Sequence, residues 1–268
     1  MTRNPKSLTR GGEEKEGGAG SSDQQSHEQV MDEIERQRAE LQAFACAVTH
    51  EFRTPLRHVE AFAQLLRQRA GRWDEESQRY LDALLHGVEE MRGLLDALLR
   101  LCRVSNVALR RRPVDLSVVA HAVVAGLQRQ APHRQVSVRI EPGIRVMGDP
   151  ELLEVALRNL LENAWKFTRG RSKAQIEVGL LSAAEPPTFF VRDNGLGFPA
   201  ERVEEMFRPL ARLHPRHEFE GLGFGLAIVA RIVERHGGRV WAEGQVGRGA
   251  TFYVALPELA PENSTVGE

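Results

Sequence analysis

From about Val30 to Arg69 the apolar residues recur at helical spacing. With Phe44 at zero and about 100° per residue, Leu41, Val48, Phe52, Val59, Phe62 and Leu66 fall on one arc, while His50 lies nearly opposite its centre. The pattern predicts a long helix that buries this stripe and shows His50 to solvent. Thr54 follows four residues later on the same exposed face, and Pro55 removes a backbone donor, so a mild kink is expected beside the imidazole. Ala70 to Asp74 reads as a turn with Asp74 as helix cap. A second helix follows, in which Leu81, Leu84, Val88, Met91, Leu95, Leu98 and Cys102 step by three and four. Two such helices form a hairpin with an apolar edge left over. Pairing with a second copy as a dimeric four-helix bundle would bury that edge, and packing on the chain's own C-terminal region is the alternative.

Past Arg110-Arg111-Arg112-Pro113, where the helical region is expected to close, the periodicity becomes mixed. A helix is predicted over Leu116 to Gln130 and a strand over Gln135 to Ile140. After a short segment at Arg145 to Gly148 comes a helix from Pro150 to Phe167, capped by Asp149. Strands at Gln175 to Leu181 and Thr188 to Arg192 precede a Gly-rich stretch, a helix from Gly225 to His236, and strands at Arg239 to Glu243 and Gly249 to Leu256. The expected fold is therefore an all-α hairpin followed by an α+β sandwich with its helices on one face of a mixed sheet. The corresponding division is a polar tail over 1–27, the hairpin over 28–112, the second domain over 113–257 and a flexible tail over 258–268.

Composition narrows the classes. With 36 basic and 37 acidic side chains the formal net charge is −1, so no nucleic-acid or anionic-membrane surface is expected. No apolar run reaches the about 18 residues of a membrane span, and a cytoplasmic protein is expected. The two cysteines, Cys46 and Cys102, sit in helical apolar patterns, which predicts core packing in a reducing compartment.

Candidate chemistry gathers in the second domain. Asn159, Asn163 and Lys166 share one helix face; carboxamide oxygens suit Mg²⁺ and a lysine suits a phosphate. Asp193-Asn194-Gly195-Leu196-Gly197 ends an apolar strand, where a carboxylate can accept from an exocyclic amine such as that of adenine and the glycines admit a close ligand. Gly221, Gly223 and Gly225 open a helix whose N-terminal N–H groups can face an anion. The stretch 201–220, with Phe207, Arg208 and Arg212, reads as a polar lid.

On these residues the chain resembles the transmitter module of a two-component sensor histidine kinase, over about residues 30 to 257. Phe44 to Leu66 resembles the phospho-acceptor box with His50 at the phosphorylated position. Asn159 to Phe167 resembles the asparagine box, Asp193 to Gly197 and Gly221 to Leu226 the two glycine boxes, and Phe207 the phenylalanine box. Ala164 to Thr168 and Arg239 to Gly244 are most similar to bacterial phytochrome-like kinases. The resemblance implies an ATP-dependent kinase with a GHKL-type domain. In it His50 takes the γ-phosphoryl group, Glu51 manages the imidazole proton, Asn163 holds Mg²⁺ with Asn159 and Lys166 near the phosphates, and Asp193 reads adenine. Thr54 would position water in a phosphatase reaction. It further implies a homodimer, a response-regulator receiver domain as partner, and input from a separate sensor protein, from the start of the first helix or from a further portion of a longer protein. Leu222, Phe224 and Leu210 depart from the family pattern, which leaves a degenerate kinase, acting as dimeric scaffold or response-regulator phosphatase, as the alternative reading.

Overall fold

The structure, a computed structural model, describes residues 45, 48–49, 51–68, 74–181, 186–211 and 222–257. Helix α1 is described over 51–68, and α2 runs Glu75–Asn106. Asp74 caps α2 as its sequence position predicts, its carboxylate accepting from the Ser77 N–H at 2.8 Å. The two helices pair through Arg53 with Asp96 and, about two turns further along α1 and about one turn back along α2, Glu60 with Arg92. Both pairs are half-exposed and add little stability on their own; they mark the register of the hairpin.

The hairpin leaves an apolar edge over, as expected, and corrects one expectation. Among the described residues of the α1 stripe Phe52, Val59, Phe62 and Leu66 are exposed, as are Leu84 and Met91 of α2, whereas Ala63, Leu81 and Val88 are buried. Two helices have only one mutual seam, and the broad apolar arc of α1 exceeds it. Cys102, buried in α2, is disulfide-bonded, so it is not the free core-packing thiol expected. A side chain on the inner face of a hairpin points at the other helix, and burial in the pattern does not separate packing from bonding. The C-terminal half of α2 turns Leu94, Leu98, Leu101 and Val104 onto the core of the following domain.

Strand β1 (Arg112–Asp115) pairs antiparallel with β3 (Arg145–Gly148). This ribbon was missed by the periodicity because Arg-Pro-Val-Asp is too short and too polar to alternate, and Pro113 is tolerated in an edge pair. Helix α3 spans Leu116–Gln130 and α4 Pro150–Phe167, capped by Asp115 and Asp149. Five strands, β2 (Val136–Ile140), β4 (Ala174–Leu181), β5 (Thr188–Asp193), β6 (Arg239–Gln245) and β7 (Gly249–Ala255), form a sheet in the order β2-β4-β5-β7-β6. Only β2 and β4 run parallel. Alternation sends Ile176, Val178, Phe189, Val191, Phe252 and Val254 to the face covered by α3, α4 and α5 (Gly225–Arg235). The mixed sheet with helices on one face is the architecture expected.

Candidate functional site

Helices α4 and α5, the end of β5 and the C-terminal half of α2 enclose a cavity of about 500 Å³, a size that suits a nucleotide-sized ligand. Asn159, Asn163, Lys166, Asp193, Gly197, Gly223 and Gly225 all line it, so one site collects residues from all three clusters identified in the sequence. Phe198, Met206, Phe224, Ile228 and Phe252 supply apolar walls.

Asp193 ends β5 with only 5% of its surface exposed. Burial pushes its carboxyl up to about 6, against the opposing effects of backbone hydrogen bonds from Gly195 and Ala250 and the charge of Arg171. The Gly195 N–H donates to Asp193 Oδ1 at 2.7 Å, which holds the carboxyl in place. Gly195 therefore stands behind the acid and does not line the cavity. Any β-carbon on it would meet the Phe167 carbonyl oxygen at 2.6 Å. Gly197 adopts φ +64°, and a β-carbon there would lie 2.0 Å from the Gln245 carbonyl oxygen. These two glycines are backbone requirements of the turn.

On α4, Asn159 donates from Nδ2 to the Val155 carbonyl at 2.7 Å, leaving Oδ1 close to the first turn of α5, 2.9 Å from where a Gly225 β-carbon would stand. Lys166 lies with Nζ 4.2 Å from the centre of the Phe167 ring. The N-terminus of α5 is preceded by Phe224, which makes no side-chain cap, so among the described residues no side chain caps its first N–H groups and they can meet an anion. Gly223, at φ +78°, brings the chain into that turn.

The remaining expected residues divide. Phe207 packs against the domain core and does not line the cavity; its neighbour Met206 does. Glu51 and Thr54 sit exposed on α1, outside the cavity lining, with Thr54 Oγ1 accepting from Arg57 at 3.5 Å. His50, Arg212 and Gly221 lie outside the described residues. Sequence reasoning missed the contribution of α2: Gly93, Asp96, Ala97 and Arg100 form one side of the cavity. Their spacing of three and four on one helix face was the available signal, but it carries no indication of what that face meets.

Comparison with known proteins agrees with this architecture. Residues 40–106 match the family model for the His Kinase A (phospho-acceptor) domain, and residues 148–260 that for the histidine kinase-, DNA gyrase B- and HSP90-like ATPase. Cyanobacterial phytochrome A of Nostoc sp. is 32% identical over 85% of this chain and 30% of its own length. The methanogenesis regulatory histidine kinase FilI of Methanothrix harundinacea is 34% identical over 84% of this chain and 25% of its own. The chain thus spans about a third or less of these relatives. Full-length ShkA, solved in complex with AMPPNP, superposes with a TM-score of 0.59 at 26% identity, covering 81% of this chain and 46% of that one.

Proposed function

The chain belongs to the transmitter modules of two-component histidine kinases, and we propose that it is an ATP-dependent protein-histidine kinase that phosphorylates its own His50 and passes the group to an aspartate of a response regulator. The observation that carries this reading is that a buried carboxylate, Asp193, and a polar wall of Asn159, Asn163 and Lys166 share one cavity with the N-terminus of α5. Adenine would donate its exocyclic amine to Asp193, and the triphosphate would extend toward Lys166 and the α5 N–H groups.

Mg²⁺ fits the residues present. The Asn163 carboxamide has no hydrogen bond among the described residues, and its oxygen is a suitable hard ligand. Among the described residues no cluster of three acidic, histidine or cysteine side chains forms a cage, and a nucleotide-borne Mg²⁺ needs none, since phosphates and water complete its shell. Bound there, the ion would neutralise phosphate charge.

In the transfer, an imidazole nitrogen of His50 attacks the γ-phosphorus; the N–P bond forms as the bond to the β–γ bridging oxygen breaks, and ADP leaves. Glu51, next in sequence and exposed, is suited to accept the imidazole proton. Thr54, one turn on, would position water if the partner aspartate is dephosphorylated. The exposed stripe of Phe52, Val59, Phe62 and Leu66, continued by Leu84 and Met91, is the surface we assign to a homodimer. No helix among the described residues is long and apolar enough to cross a membrane; the ATP requirement supports a cytoplasmic setting.

The test is incubation of the purified chain with γ-labelled ATP and Mg²⁺, beside His50→Gln and Asn163→Ala. Acid-labile, alkali-stable label that is lost in both variants is the expected result. Label that persists in His50→Gln would overturn the assignment of the acceptor, and wild-type ATP binding without label would favour the scaffold or phosphatase reading.

A further inference from the structure

Helix α2 is more than a support for α1, because it forms one wall of the nucleotide cavity. Three contacts fix how it lies on α5. Gly93 receives Leu222, whose Cδ1 is 2.7 Å from where a β-carbon on Gly93 would be. Further along, Arg231 Nε donates to Ser105 Oγ at 3.1 Å. Beyond that, Arg235 donates to the carbonyl oxygens of Val104 and Val107 at the C-terminal end of α2. Since Gly93 meets Leu222 and Ser105 meets Arg231, the two segments run side by side in the same direction. Arg100, between Gly93 and Ser105, therefore comes level with the first turns of α5, whose N–H groups have no cap from the Phe224 side chain and none from the other described residues.

Arg100 is exposed and lines the cavity, and its guanidinium makes no hydrogen bond or ion pair with the described residues. The neighbouring acid on the same helix face, Asp96, is taken up by Arg53 of α1. A guanidinium with its charge uncommitted, beside an open helix N-terminus, is a site for an oxyanion, and its planar fork suits phosphate.

We propose that Arg100 is a phosphate-binding residue that the hairpin lends to the nucleotide site, pairing with the β- or γ-phosphate of ATP. This rests on the reading of the cavity as an ATP site. The consequence is reciprocal: a triphosphate held by both α5 and α2 strengthens the packing of the hairpin on the ATPase domain, and that packing strengthens nucleotide binding.

The experiment measures dissociation constants of the full chain for Mg-ATP, ADP and adenosine by calorimetry, for the wild type, Arg100→Ala, Arg100→Lys and Asp193→Asn. Arg100→Ala is expected to weaken ATP about tenfold, the loss of one charge-assisted phosphate contact, with adenosine unchanged, and Arg100→Lys to recover part of the loss. Asp193→Asn is expected to weaken all three ligands. Equal ATP-to-adenosine ratios in wild type and Arg100→Ala, with Asp193→Asn still defective, would overturn the role of Arg100 and leave the ATP site standing. A wild type that binds none of the ligands would overturn both.

Discussion

The backbone N–H of Asp149 donates to Nε2 of His236 at 2.9 Å, joining the start of α4 to the residue that ends α5. A backbone N–H can only donate, so Nε2 is the unprotonated nitrogen and Nδ1 carries the hydrogen that it gives to the Ile232 carbonyl at 2.7 Å. The ring is 1% exposed, and Gly148 makes room for it: a β-carbon there would stand 2.9 Å from His236 Cδ2. This neutral imidazole holds together the two helices that carry the cavity.

Burial, the largest cause, holds the His236 pKa below its ordinary value of 6.5. Below that value the unfolded chain binds the proton more readily than the folded one, so the stabilisation is complete above about pH 6.5 and is lost as pH falls toward the folded pKa. Replacing His236 with Phe leaves the Asp149 N–H without its acceptor and is expected to cost about 1–3 kcal/mol in urea unfolding at pH 7.5. The variant should also lack the His236 share of the stability decline between pH 7 and 5.

Asp193 acts with the opposite sign. Its carboxyl is raised to about 6 when folded, so between the ordinary carboxylate value of about 3.9 and that point the folded state binds more protons and stability falls as pH rises. Asp193→Asn keeps the acceptor for the Gly195 N–H and removes the buried charge. It is expected to raise the melting temperature at pH 7.5 while weakening ATP by at least about tenfold. Thermal unfolding and calorimetric titration on one sample check both signs.

Gly197→Ala places a β-carbon against the Gln245 carbonyl at a residue with φ +64°. Strain and overlap together are expected to cost more than about 2 kcal/mol and to open the turn that follows Asp193. Gly170→Ala, where no atom lies within 4 Å of the added carbon, is the control and should change stability little. Urea unfolding of the pair distinguishes the turn from a general intolerance of alanine.

Phe62 is 66% exposed in the middle of the α1 stripe. Phe62→Glu is expected to raise the dimer dissociation constant at least about tenfold, since burying one phenylalanine contributes about 1.5–3 kcal/mol, while nucleotide affinity is retained. Sedimentation over a concentration series checks the shift, and an unaltered association would move the dimer surface elsewhere.

What the residues determined alone was local. Asp74, Asp115 and Asp149 each stand directly before a helix and cap it; α3 begins and ends where the apolar period does; and Asp193 ends its strand because glycines follow. Short-range hydrogen bonding and the preference of apolar side chains for one face act within a few residues, so they are written along the chain. Tertiary structure decided the rest. That α2 turns Leu98 onto the ATPase core while Leu84 and Met91 stay exposed divides one continuous seam between two surfaces. The β1–β3 ribbon, the pairing of Asp149 with His236 and the arrival of Gly93 and Arg100 at the cavity join residues far apart in the chain. A helix face records only that it is apolar or charged; which surface it meets is set by the packing of the whole domain, and that places Arg100 beside the open end of α5.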